Sequence, residues 1–373
     1  MADSRAESII RELTSSAGVE INGPNPWDIQ VHDDRFYRRV LAQSELGFGE
    51  AYMDGWWDAE AIDQLLDRIF RADLQARVRG NLSVALHALR GRLFNLQSLR
   101  RAFQVGESHY DLGNELYTRM LDKRLNYTCA YWKDAHNLDE AQEAKLELIC
   151  RKLHLEPGMR VLELGCGWGA FAGFAAERYG VEVTGVTVSK DQVALGNERY
   201  KDLPVELRLQ DYRSVEGTFD RVISIGVLEH VGYRNYRRYM EVVDRTLAPG
   251  GIAFFHTIGG NQSEKGVNAW TDRYIFPNGM LPSMAQLSAA MEGLFVMEDW
   301  HNIGPHYDPT LMAWHENFIA AWPELKYRYD ERFYRMWRFY LLSSAAGFRA
   351  RRNQLWQVVM TRPGDPQPES RVV

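Results

Sequence analysis

The chain has 373 residues, 45% hydrophobic and 25% charged, enough for two domains or for one domain with a large addition. Its net charge of −6 argues against nucleic acid as a partner, because phosphate binding wants a basic surface. The three cysteines, Cys129, Cys150 and Cys166, form no C-x-x-C pair and no zinc-like spacing, so no metal site is expected and a reducing, cytoplasmic setting fits.

The N-terminus lacks the basic-then-apolar pattern of a signal peptide. No stretch reaches the ~20 apolar residues that span a bilayer, so any membrane contact is expected to be peripheral. Residues 1–67 are acidic. Ile9, Ile10 and Leu13 recur at helical spacing, and a second helix is predicted over Asp34–Gln43. The stretch LGFGEAYMDGWW, Leu46–Trp57, is rich in glycine and aromatics and reads as a packed turn. Residues 68–101 invert the charge: eight arginines are interleaved with leucine and valine against Asp73 alone. A basic amphipathic helix can lie on an anionic lipid surface. It can equally be a solvated arginine face over an ordinary core, or a dimer contact. A mainly helical first domain is expected at 1–104. Gly106–Tyr131 is polar and aromatic and is placed to fold over a ligand, which gives a linker and lid at 105–135. Leu138–Leu155 reads as a helix with Ala141, Ala144, Leu146, Leu148, Ile149 and Leu153 inward, ended by Pro157-Gly158.

From Arg160 strands alternate with helices, which predicts an α/β domain with a parallel, doubly wound, Rossmann-like sheet over 105–373. Its first unit is RVLELGCGWGAFA, strand, glycine turn and helix. The G-x-G-x-G spacing is tighter than a pyrophosphate loop and resembles the S-adenosylmethionine loop of class I methyltransferases. Further strands are predicted at 181–188, 205–209, 219–227 and 252–258, with Ser189 and Gln192 as a capping box between the first two. Ligands in such sheets sit beyond the carboxyl ends of the strands. Gly165, Thr187, Gln210, Asp211, Glu229 and His256 all fall there. The second strand ends in Thr187 where an acid usually takes the ribose, so Thr187 and Gln192 are the substitutes, and Asp211 is placed for the adenine amine. A long insertion follows at 259–283. A strand at 295–300 is expected to resume the sheet, followed by helices at 309–322 and 324–348 and a last strand at 355–361. The proline-rich tail after Pro363 is expected to be disordered.

Long words in the chain resemble the cyclopropane-fatty-acyl-phospholipid synthase family over almost its full length. They are LGFGEAYMDGWW, LFNLQS, GESHYDLGN, YTCAYW, VLELGCGWG, LEHVG, HTIG, YIFPNG, MEDWHNIG, YDPTLMAW and FRARRNQLWQVV. Mycolic acid cyclopropane synthases share the catalytic half but lack the N-terminal domain, which points to phospholipid substrates. The resemblance implies that Tyr127, Thr128, Gly165, Cys166, Gly167, Thr187, Gln192, Gln210, Asp211 and Ile225 hold S-adenosylmethionine. It also implies a bicarbonate site of Cys129, Glu229, His256, Ile258 and Tyr307, with Cys129 and Ile258 contributing backbone groups. Bicarbonate would serve as general base for a carbocation on the acyl chain, with Tyr274, Phe276 or Trp314 as candidate ring faces for the cation. A homodimer at the inner membrane surface is the implied assembly. The alternative on the same sheet is another S-adenosylmethionine methyltransferase, acting on fatty acids or on amine nitrogen.

Overall fold

The computed structural model describes residues 2–74 and 114–372, and these form two compact units. The expected domain boundary at 104/105, the arginines at 77–101 and the start of the expected lid, 105–113, lie outside the described residues.

One unit joins residues 2–74 to Gly266–Pro277 and Leu311–Asn353, so two segments from far along the chain pack with the N-terminal one. Its helices include Ala2–Ser15, Arg35–Met53, Ile62–Arg71 and Glu331–Arg349, and strands β1 (Gln30–Val31) and β2 (Trp57–Asp58) pair antiparallel. Leu46–Met53 is helical rather than a turn: the helix Arg35–Met53 is broken only at Ser44, whose φ is 52°. Glycine serves packing here. A Cβ on Gly49 would stand 2.5 Å from the Trp270 ring, so the helix approaches that indole directly. Trp270 meets Phe339 at 4.9 Å, and Phe48 meets Trp57 at 4.4 Å, within one buried aromatic cluster. Arg335 ties the cluster down by donating to the Trp57 carbonyl (2.9 Å) and to Asp58 (2.7 Å). The helix expected from 324 begins instead at Glu331, where Asp330 caps it by accepting from the Phe333 amide.

The other unit carries the predicted α/β sheet. Its strands are β3 (Arg160–Leu164), β4 (Glu182–Thr187), β5 (Val205–Leu209), β6 (Phe219–Ile225), β7 (Leu247–Gly260), β8 (Val296–Asn302) and β9 (Asn353–Thr361). The order is β5-β4-β3-β6-β7-β9-β8; the ladders from β5 through β7 are parallel, and β8 and β9 pair antiparallel. Strand order reverses between β3 and β6, which opens a crevice at their carboxyl ends. Both faces are covered. Phe255 joins a core with Tyr239, Met240 and Leu287, while its neighbour Phe254 joins one with Ile149, Phe171 and Val183, as strand alternation requires.

The tail after Pro363 is docked, not disordered. Ser370 is buried and its hydroxyl donates to the Lys152 carbonyl. Arg371 donates to Asp299 at 2.7 Å, and the buried Lys152 ammonium meets the same carboxylate at 2.8 Å. A buried carboxylate demands cationic partners, and the tail supplies one of them. No helix among the described residues is long and apolar enough to cross a membrane.

Candidate active site

The crevice begins at the turn after β3. Gly165 has φ +78°, and a Cβ there would lie 2.2 Å from Val227 Cγ2, so both backbone and space require glycine. The Gly165 and Cys166 amides donate to the Val186 carbonyl at 2.8 and 3.0 Å, which pins the turn to β4. A Cβ on Gly167 would meet nothing within 4 Å, because this glycine faces open space. That space is a cavity lined by all ten residues assigned from the resemblance: Tyr127, Thr128, Gly165, Cys166, Gly167, Thr187, Gln192, Gln210, Asp211 and Ile225.

Each wall has a local cause. Ser189 caps the helix Lys190–Arg199 by accepting from the Gln192 amide, but the expected capping box is not reciprocal. The Gln192 side chain turns to the cavity wall instead, where its oxygen accepts from the Thr187 hydroxyl at 2.7 Å. The Gln210 amide donates to the Thr187 carbonyl, and its side chain donates to the Ser214 carbonyl. Asp211 is buried; its Oδ1 takes the Arg213 amide, and its Oδ2 has no partner among the described residues.

The 126–128 segment is held over the strand ends by a buried lysine that the sequence reading missed. Lys145 Nζ donates to Asn126 Oδ1 (2.7 Å) and Thr128 Oγ1 (3.1 Å), and Gln142 donates to the Thr128 carbonyl (2.9 Å). Asp122 holds Asn126 from the other side by two further bonds. The described part of the expected lid, 114–135, is therefore tied down at its centre. Glu163, also missed, lines the cavity, and its Oε2 is buried without a partner among the described residues. Burial pushes the Glu163 carboxyl up to about 8 and the Lys145 ammonium down to about 8. The available signal for Lys145 was its spacing: it lies four residues from both Ala141 and Ile149, on the inward face of Leu138–Lys152.

A second cluster stands next to the cavity. Ile225 pairs with His256 across β6 and β7, and the Gly226 amide donates to the His256 carbonyl at 2.8 Å. His256 is buried, and its Nε2 has no partner among the described residues. Glu229 lies in the first turn of the short helix Leu228–Val231; its Oε1 accepts from the Ile258 amide at 2.6 Å, and its Oε2 is buried without a partner among the described residues. Burial raises the Glu229 carboxyl to about 7, against the pull of the Ile258 amide. Burial lowers His256 well below its ordinary value, assisted by the Lys145 and Lys152 charges, so its imidazole is neutral. Thr128, the neighbour of Cys129, packs on the turn after β6, its methyl 2.8 Å from where a Gly226 Cβ would be. The Cys129 thiol is buried and pushed up by that burial, so it stays protonated. Tyr307 is buried, and its chain neighbours His306 and Thr310 accept from the Trp132 and Ala130 amides, which ties this segment to the stretch after Cys129. Of the candidate cation-facing rings, Tyr274, Phe276 and Trp314 all belong to the other unit, where Tyr274 donates to Glu50 at 2.7 Å and Trp314 is fully buried.

A family profile described as mycolic acid cyclopropane synthetase matches residues 97–358. The chain belongs to that family. A cyclopropane-fatty-acyl-phospholipid synthase of Escherichia coli K12 is 52% identical over 354 residues, 95% of this chain and 93% of its own length. A tuberculostearic acid methyltransferase of Mycobacterium tuberculosis is 32% identical over 89% of this chain and 82% of its own. Among solved structures, the mycolic acid cyclopropane synthase CmaA1 complexed with SAH and CTAB superposes with a TM-score of 0.65 at 30% identity, over 69% of this chain and 97% of that one. The protein is thus an S-adenosylmethionine-dependent methyltransferase on the class I sheet.

Proposed function

We propose that the protein transfers a methylene group from S-adenosylmethionine to the cis double bond of unsaturated phospholipid acyl chains, closing a cyclopropane ring. The observation that carries this reading is a crevice at the strand ends, lined by all ten expected cofactor residues, beside a buried carboxyl and a neutral imidazole that each keep an atom without a partner among the described residues. The residues suit the cofactor: Gly167 leaves the space open, Asp211 Oδ2 is a buried acceptor, and Glu163 adds a buried carboxyl to the lining. S-adenosylmethionine, when bound, supplies an electrophilic methyl on a sulfonium. Gly165, Cys166 and Gly167 offer it backbone, Thr187 and Gln192 take the ribose, and Asp211 accepts from the adenine amine. Tyr127, Thr128, Gln210 and Ile225 complete the walls.

An alkene is a weak nucleophile, so the reacting groups must be held in line and water kept out. Ring closure removes a proton from the transferred methyl, which calls for a base that does not attack the cation. Bicarbonate, held by Glu229, His256 and Tyr307 with the Cys129 and Ile258 backbone, would supply that base. The Ile258 amide is engaged by Glu229, so carboxyl and anion compete for one donor, and an anion there requires Glu229 to turn its oxygen aside. The 52% identity to a phospholipid-modifying enzyme supports the substrate class.

The test is mass spectrometry of phospholipid incubated with the protein and S-adenosylmethionine. A gain of one methylene in a product that resists hydrogenation is expected. A product that takes up hydrogen, or one methylated on nitrogen, would move the protein to the fatty-acid methylases or the amine N-methyltransferases. The same reading makes the protein a peripheral homodimer at the inner membrane face, with the positive charge of the arginines at 77–101, which lie outside the described residues, as its attraction to anionic lipid. Changing Arg77, Arg79, Arg90 and Arg92 to Ser should weaken sedimentation with anionic vesicles, each charge being worth ~1 kcal/mol at the surface. Unchanged sedimentation would reject that placement.

A further inference from the structure

We propose that Gln357 is a positioning residue: its side-chain amide holds the His256 imidazole with its proton on Nε2, so His256 donates a hydrogen bond in the site and does not act as the base. The proposal rests on the reading of His256 as part of the reaction site.

Gln357 lies on β9, the strand next to β7, and is wholly buried. Its Nε2 stands 3.4 Å from His256 Nδ1. An amide nitrogen can only donate, so Nδ1 accepts and the one N–H of a neutral imidazole falls on Nε2. That Nε2 is the buried, unpartnered atom described above. The position of Gln357 is fixed by the sheet. Across β8 it is in register with His301, whose Nδ1 stands 3.2 Å from Lys152 Nζ, itself anchored on Asp299. On the β7 side the Trp356 ring lies 2.0 Å from where a Gly259 Cβ would be, which closes β9 onto β7. An apolar side chain would fill the same place in the sheet without burying an amide, so the polar group needs a reason. Setting the tautomer supplies one. A donor at Nε2 suits an anion, and it leaves proton removal to another group, in line with a separate base.

The charged and titratable groups around His256 are Lys145, Lys152 and His301 with the nearby Glu229. The two ammonium groups oppose protonation of the ring, which keeps the question one of tautomer and not of charge.

The test is nitrogen NMR of the full chain labelled with 15N-histidine, with His256→Gln identifying the signal among the ten histidines. Protonated Nε2 and unprotonated Nδ1 are expected. A proton on Nδ1, which the opposite amide orientation would give, or an imidazolium, would overturn the proposal. In Gln357→Leu both tautomers should appear and kcat should fall roughly tenfold, with KM for S-adenosylmethionine within about twofold. In Gln357→Glu the carboxylate should draw the proton to Nδ1 and lower kcat by roughly 100-fold or more. An unchanged tautomer or an unchanged kcat in Gln357→Leu would also overturn it. Should either variant fail to fold, the wild-type spectrum still decides. Absence of a cyclopropane product from the wild-type protein, with the tautomer as expected, would instead reject the proposed function.

Discussion

Glu229→Gln separates the chemistry of the second cluster from its cost to folding. The carboxyl is buried, keeps one bond to the Ile258 amide at 2.6 Å, and titrates at about 7 instead of 4.5 because burial disfavours its charge. Below the unfolded value both states hold the proton, and ionisation costs nothing. As pH rises from there to about 7, the unfolded chain releases its proton while the native state keeps it, so stability falls. At about 1.4 kcal/mol per unit, the loss reaches about 3 kcal/mol above the folded value and then stays level. Glutamine keeps the shape and the acceptor but cannot ionise. It does bury a new NH2 group, at roughly 1–3 kcal/mol, a term that does not change with pH. The difference in unfolding free energy between variant and wild type should therefore move by roughly 2–3 kcal/mol in favour of the variant between about pH 5 and pH 8. Urea unfolding of both proteins at the two pH values measures it. Over the same range the variant should bind S-adenosylmethionine like the wild type and lose cyclopropanation by roughly 100-fold or more. A stability difference that does not move with pH would refute the buried, raised carboxyl. Loss of cofactor binding would refute its assignment to the base site.

Gly165→Ala should act on the cofactor instead. With φ +78° and a Cβ 2.2 Å from Val227, the turn must shift, at roughly 1–3 kcal/mol, and calorimetry should show S-adenosylmethionine affinity lost. Adding Val227→Ala relieves the clash but not the dihedral, so affinity should not return. At the docked tail, Lys152→Met should destabilise by roughly 3–5 kcal/mol, because it strips a buried carboxylate of its buried partner. Arg371→Ala should cost less than about 1 kcal/mol, since that guanidinium is 76% exposed and screened by water. Equal losses for the two in thermal unfolding would show that the tail, and not the buried pair, holds Asp299.

What the sequence made legible follows from what strand ends have in common. Gly165, Thr187, Gln210 and Asp211 each follow or close a strand, and His256 pairs with Ile225 at the end of β6; a parallel sheet brings such positions together whatever else the chain does. Lys145 and Glu163 carry no such mark. Each sits inside an apolar pattern, on the inward face of a helix and in the middle of β3, where a charge reads as a solvated side chain until a cavity behind it is known. The docked tail and the Leu46–Met53 helix were misread for a related reason: proline, glycine and aromatic content describe what a segment does alone, and both segments are shaped by partners distant in sequence, Asp299 and Trp270. Gln357 is the extreme case. It stands 101 positions from His256, and nothing local to either residue announces the contact. Strand order alone makes it, by seating β9 against β7. The chain singles out His256, but the side chain that faces its Nδ1 is set by the sheet.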